Sequence, residues 1–102
     1  MLWRQGDVLI ATADDVPQYA RRLYSPVLVQ GEATGHAHRI EDPASAEIWH
    51  CITAGQQEWY LRVGESTRLI HDEHRPITLP AGIYRVWQQR EYSPGANRSV
   101  MD

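Results

Sequence analysis

Residues 46–64 read AEIWHCITAGQQEWYLRVG, and the way this stretch divides decides what kind of protein the chain can form. Isoleucine, valine, tryptophan and tyrosine crowd both flanks, the residue types that fit a pleated, half-buried surface. Between them Ala54-Gly55-Gln56-Gln57 has the character of a turn. The stretch predicts a hairpin, with one strand over 46–53 and the next over 57–63. Outward from it the same texture continues: short β-type runs punctuated by Gly, Pro and Asp, with few long stretches of helical period.

Upstream, GDVLIATA (6–13) predicts a strand with Val8 and Ile10 on one face and Leu9 and Ala11 on the other. SPVLVQGEATGHAHRIED (25–42) predicts strands 26–31 and 33–40, joined through a bend or bulge near Gly31 and Gly35. Downstream, TRLIH (67–71) is followed by the turn-rich DEHRP (72–76). A short strand then leads to an interruption at Pro80 and Gly82, and a long final strand runs over Ile83–Tyr92. DDVPQYARRLY (14–24) predicts a short helix near the N-terminus, capped by Asp14 or Asp15 with Pro17 near its first position. The tail SPGANRSVMD (93–102) has so little apolar character that poor order is expected there.

About seven short strands cannot form a large flat sheet without exposing apolar faces. The expectation is an all-β domain, either a small β-barrel or a two-sheet sandwich. The 102 residues suffice for one domain spanning 1–102. Trp3, Trp49, Trp59 and Trp87, with five tyrosines, supply enough apolar area for a core without disulfides.

Composition removes several chemistries. Cys51 is the single cysteine, which excludes an intrachain disulfide and a cysteine-rich zinc module. Its expected role is that of a small buried apolar residue. All ten basic residues are arginine, so Schiff-base and lysine-nucleophile mechanisms are ruled out. A net charge of −3 argues against nucleic acid, which needs a concentrated basic surface. No apolar run reaches membrane-spanning length and no signal-peptide pattern opens the chain, so no membrane partner and a cytoplasmic, reducing location are expected. The glycines match no phosphate loop or dinucleotide fingerprint. Ser25, Ser45 and Ser66 lie in no nucleophile-elbow context.

The histidines carry the chemistry that remains. On a strand over 33–40, His36 and His38 point the same way, their α-carbons about 6.6 Å apart, so that both rings can reach one ion. His71 and His74 lie three apart in HDEH (71–74), a spacing that brings side chains together in a helical or 3₁₀ turn. Two imidazole pairs from separate segments can complete a site for zinc, iron, nickel or manganese, with a carboxylate replacing one ring. Glu32, Glu41, Glu73 and Tyr84 are the candidate acid–base groups, and Arg85, Arg90 and Glu91 can line a polar pocket or form cross-strand ion pairs. His50, between Trp49 and Cys51, reads as a partly buried structural residue.

QGDVLI, GEATGHAHRI, YLRVG, HDEHRPITLPAGIYRV and QREY, in that order, resemble an uncharacterised family of small, roughly hundred-residue proteins of bacteria and their phages. The resemblance covers most of the chain and implies no activity. It implies that Gly35, His36, His38, His71, Glu73, His74 and Tyr84 occupy the family's recurrent positions. HAHRIE and LPAG also resemble the two metal boxes of cupins, which implies a small metal-binding β-barrel. The chain departs from the second box, where Ile83, Tyr84 and Arg85 follow Gly82 and the second histidine pair precedes Pro80.

Two functions are therefore expected as alternatives. One is a β domain that binds a divalent metal or a small polar molecule through His36, His38, His71 and His74. The other is a non-enzymatic interaction module with structural histidines, whose tryptophans and arginines meet a protein partner. An exposed edge strand would favour a homodimer.

Overall fold

The hairpin read from residues 46–64 is the spine of the molecule, but its second strand is twice as long as the sequence predicts. A computed structural model describes residues 1–30, 36–93 and 96–99, without the side chains of residue 30 and of 90–99. Among the described residues the strands are β1 (Leu2–Gln5), β2 (Val8–Thr12), β3 (Arg21–Leu23), β4 (Val27–Gln30), β5 (Ala37–Ile40), β6 (Ala46–Thr53), β7 (Gln56–Ile70), β8 (Ile77–Gln88), β9 (Arg90–Ser93) and β10 (Ala96–Ser99). The all-β class is as expected. β6 matches its expected bounds.

β7 and β8 form one long antiparallel ribbon, and the other strands of the main sheet attach to its two edges. β2 and then β1 extend the β8 edge, while the β7 edge is shared by β6 and β3 along its first half and by β5 and β4 along its second. Gly64 and Pro80 were expected to end strands. Instead the ribbon runs past both, because it takes up one extra residue there: Val63 pairs with Gly82 and Ser66 with Pro80. Three steps along β7 against two along β8 is a β-bulge, which bends the ribbon where proline can be tolerated in a ladder. The 3₁₀ turn Pro43–Ser45, which leads from β5 to β6, sits at the same place and bonds to it through Ser45 Oγ and Thr67 Oγ1, 2.6 Å apart.

Both halves of the bent sheet feed one core. Trp59, Leu61, Val63, Tyr84 and Val86 come from the ribbon before the bulge, Leu69 and Leu79 from beyond it. Val8 and Ile10 of β2, Ile48 of β6, Ile40 of β5 and Leu28 and Val29 of β4 complete it. The sheet is neither a closed barrel nor a pair of separate sheets. It is one open antiparallel sheet whose far half returns over its near half, because a continuous 15-residue strand bends at a bulge where the local pattern predicts a break.

Residues 14–20 form no helix. Pro17 supplies a turn, with Ala20 N donating to Pro17 O at 3.1 Å. The segment is pinned to the outer face of the sheet by Tyr19 Oη to Thr53 Oγ1 (3.1 Å) and Asp15 to Arg62 (3.5 Å). Cys51, Tyr60 and Glu58 on that face are buried, and Arg85 Nε donates to Glu58 Oε2 at 2.6 Å. Residues 21–23 of the expected helix are instead strand β3, paired with β6. In the tail, β9 and β10 pair as a hairpin. The poor order expected of the tail falls at residues 94, 95 and 100–102 outside the described residues, as does the bend or bulge expected near Gly31 and Gly35.

The two glycines beside the bulge have different duties. Gly82 has φ +151°, whereas an added Cβ on Gly64 meets nothing within 4 Å. Urea unfolding of Gly82→Ala is expected to show a loss of about 1–2 kcal/mol, and of Gly64→Ala a change within about 0.5 kcal/mol. Equal losses in the two variants would contradict this reading of the bend.

Candidate functional site

The fold-over has a chemical result: it carries the loop between β7 and β8, residues 71–76, back to the turn between β1 and β2. Four imidazoles meet there. The ring centroids of His38 and His71 are 4.3 Å apart, those of His71 and His74 4.6 Å, those of His36 and His71 5.9 Å and those of His38 and His74 6.1 Å. The two sequence-distant pairs, which the metal reading of the sequence requires to meet, thus come together. The 71–74 segment achieves this through consecutive bends, not the 3₁₀ turn expected.

Hydrogen-bond chemistry fixes several protons. Gln5 is 2 % exposed, and its Nε2 donates to two backbone carbonyls, Leu69 O at 3.0 Å and Arg75 O at 2.8 Å. The amide cannot be turned round, because carbonyls only accept. Gln5 Oε1 therefore faces His38 Nδ1 at 2.8 Å, and that nitrogen must carry the hydrogen. In neutral His38 the lone pair is consequently on Nε2, which lies 3.8 Å from Asp7 Oδ1. Asp7 is itself held by Gln88, whose Nε2 donates to Oδ2 at 2.6 Å.

The outer histidines are held differently. His36 Nδ1 is 2.7 Å from Glu73 Oε1, and its Nε2 is 3.7 Å from Asp72 Oδ2. The backbone N–H of Glu73 donates to His71 Nδ1 at 3.0 Å. This places the His71 lone pair on Nδ1 and its hydrogen on Nε2.

The electrostatics keep the inner rings neutral. Burial, followed by the neighbouring His71, lowers the pKa of His38 to about 4, with Asp7 opposing. Burial and then His74 lower that of His71. The hydrogen bond from His36, followed by its charge, holds the Glu73 carboxyl below its usual range. A neutral imidazole is the form that binds metals. As they stand, however, no three His, Cys, Asp or Glu side chains among the described residues are arranged to hold an ion. The four-histidine chelate expected from the sequence is not preset, because the His71 Nδ1 lone pair is engaged by a backbone N–H and His36 Nδ1 by a carboxylate.

The other candidates scatter. Glu73 belongs to the cluster. Glu41 is exposed and paired with Arg68 at 3.2 Å. Tyr84 is a core residue, edge-on to Trp3, with its hydroxyl donating to Pro80 O at 2.6 Å and its pKa raised by burial. Glu32 lies outside the described residues. Arg85 is paired with Glu58 on the outer face and stacks on Trp87, 4.3 Å from the ring centroid. The side chains of residues 90 and 91 are also outside the description. His50 is partly buried against Trp59, as expected.

Sequence reasoning missed Gln5 and Asp7. Both flank Gly6, whose φ of +60° makes the turn between β1 and β2. The available signal was a glycine between polar residues, QGD, set between two apolar runs.

A family profile described as a domain of unknown function, DUF8820, matches residues 4–89. The chain belongs to this family. The matched span of the DUF8820 domain contains every residue of the cluster, from Gln5 and Asp7 to Glu73 and His74. No curated protein and no solved structure matches the chain. No helix among the described residues is long and apolar enough to cross a membrane.

The depressed His38 pKa has a definite sign for stability. Above pH 6.5 the ring is neutral in the folded and unfolded chain alike. As pH falls below that value the unfolded chain takes up a proton which the folded chain refuses until about pH 4. Stability therefore falls across this window and levels off beneath it, by an amount on the order of 2 kcal/mol once solvent screening is allowed for. Thermal melts of metal-free protein at pH 7 and pH 4.5 should show the drop. His38→Asn, which keeps a donor towards Gln5 and cannot titrate, should flatten it; an unchanged slope in that variant would assign the effect elsewhere.

Proposed function

We propose that this domain binds a divalent transition metal ion where the β1–β2 turn, β5 and the 71–74 loop meet. One observation carries the reading. Two electron-pair donors, His38 Nε2 and Asp7 Oδ1, face each other across 3.8 Å in a place where His38 is 2 % exposed, with two further imidazoles, His71 and His74, beside the His38 ring. Donor atoms on one tetrahedral ion at 2.0–2.1 Å lie about 3.4 Å apart, so closing the gap by a few tenths of an ångström would bring this pair onto a cation. The orientation of His38 by a buried amide is the support that metal-binding histidines receive.

His74 and His71 are the nearest rings able to add donors. His71 would use Nε2 by moving its hydrogen to Nδ1, which releases the N–H of Glu73. A mixed imidazole and carboxylate set suits zinc, iron, nickel or manganese. With a coordination position left open, the ion would act as a Lewis acid towards a water or a substrate oxygen.

A second reading, a protein-interaction module, rests on the outer face. There Arg22 lies 4.9 Å from the ring centroid of Tyr24, which is 85 % exposed, and Arg22 and Arg62 flank Trp49. Arginine and aromatic residues together are the usual anchors of interfaces.

Tag-free protein should bind close to one equivalent of zinc or nickel by calorimetry. His38→Ala and Asp7→Ala should each weaken binding by at least about tenfold, and His50→Ala should leave it unchanged. Because the ligands must be deprotonated and His38 in the folded chain takes up its proton only near pH 4, affinity should persist below pH 6.5 and fall most steeply towards pH 4. Less than about a tenth of an equivalent after incubation with zinc, iron or nickel, the level of adventitious binding, would rule the site out.

A further inference from the structure

A second opening lies between the β6–β7 turn and the end of β8. It has a volume of about 430 Å³, within the range of small-molecule clefts. Its lining carries no charged side chain and is dominated by Gln56, Gln57, Gln88 and Gln89 with Trp59 and Trp87.

The amides are oriented by their partners. Gln88 Nε2 donates to the Asp7 carboxylate at 2.6 Å and Gln56 Nε2 donates to Gln88 O at 3.4 Å. Both partners can only accept, so Oε1 of each glutamine is left as an acceptor. Gln89 Oε1 accepts from Arg4 at 2.5 Å, a group that only donates, which leaves its Nε2 as a donor. Gln57 faces His50 Nε2 through one end of its amide, 3.0 Å away, and turns the other end, oxygen or nitrogen according to the ring's tautomer, to the cleft. The cleft thus presents two amide acceptors, one amide donor and a fourth amide group, each tethered by a bond behind it.

We propose that this cleft binds a neutral saccharide. A hydroxyl both donates and accepts, and a ring of hydroxyls radiating in several directions uses a mixed set of amides that a one-sided ligand cannot. The half-buried Trp87 indole supplies apolar surface for a C–H face of the sugar, while Trp59, 8 % exposed, closes the cleft from the core side. Phosphates, carboxylates and ammonium groups would lose hydration without meeting an opposite charge.

The test titrates the whole chain, with chelator present, against glucose, galactose, mannose, N-acetylglucosamine, maltose and cellobiose. Glucose 6-phosphate and adenosine serve as contrasts, and tryptophan fluorescence and calorimetry as readouts. Chelator separates the outcome from that of the metal reading. At least one neutral saccharide is expected to bind saturably in the millimolar range or tighter, and more tightly than either contrast. The paired change Gln56→Ala, Gln57→Ala removes two exposed side chains and should weaken binding by about tenfold while leaving the melting temperature unchanged. No saturable response to any saccharide, equal affinity in the paired variant, or a preference for adenosine or the phosphorylated sugar would overturn the proposal.

Discussion

The side chain of Gln5 holds the two halves of this molecule in register. Its amide donates to Leu69 and Arg75 at the far end of the ribbon and accepts from His38 on β5, so three separate parts of the chain meet on one buried group. Apolar contacts alone would let the returning half of the sheet slide, because burial of area has no direction. A fully used amide does have a direction, and leaving any of its partners unmade inside the protein is costly. The positions of both histidine pairs follow from it. His38 is oriented by Gln5 directly, and His71 and His74 arrive with the loop whose flanking carbonyls Gln5 grips.

The same arrangement explains how four imidazoles can share so small a space. Were they charged, rings 4–6 Å apart would repel one another strongly in a partly dry pocket. Burial keeps the inner rings neutral, and the carboxylates of Asp72 and Glu73 stand at the exposed rim beside His36. Polarity is therefore graded from an inner ring that resists protonation to an outer ring flanked by anions. Asp7 joins this gradient to the rest of the sheet through Gln88, which also lines the glutamine cleft.

The sequence displayed the β class, the bounds of β6 and the pairing of histidines, because each is written in local pattern: residue type, alternation and turn chemistry. The convergence of the two pairs was legible as a possibility of spacing. What produces it was not. A glycine and a proline normally punctuate, and nothing local distinguishes a strand that ends at Gly64 from one that takes on an extra residue and bends. Residues 14–20 misled in the opposite sense. Asp15 and Pro17 have the chemistry of a helix start, but the segment makes a single turn at Pro17 and lies against Thr53 and Arg62. Gln5 was invisible for a third reason, since a polar residue beside a turn is ordinarily solvated and only the register of distant strands buries it. The expected resemblance to the second cupin box at Pro80 and Gly82 turns out to mark the bend of β8, where Tyr84 faces the core.

The pairing of β2 with the end of β8, Val8 with Gln88 through to Thr12 with Tyr84, sets a condition on how the chain is made. The N-terminal apolar strand emerges from the ribosome long before its ladder partner has been polymerised. Until then β1 and β2 are a lone two-stranded ribbon, which is marginal in water, while the β6–β7–β8 meander further along can assemble from near neighbours. Val8 and Ile10 therefore wait for Gln88 and Val86, more than seventy positions further along, before their ladder is complete.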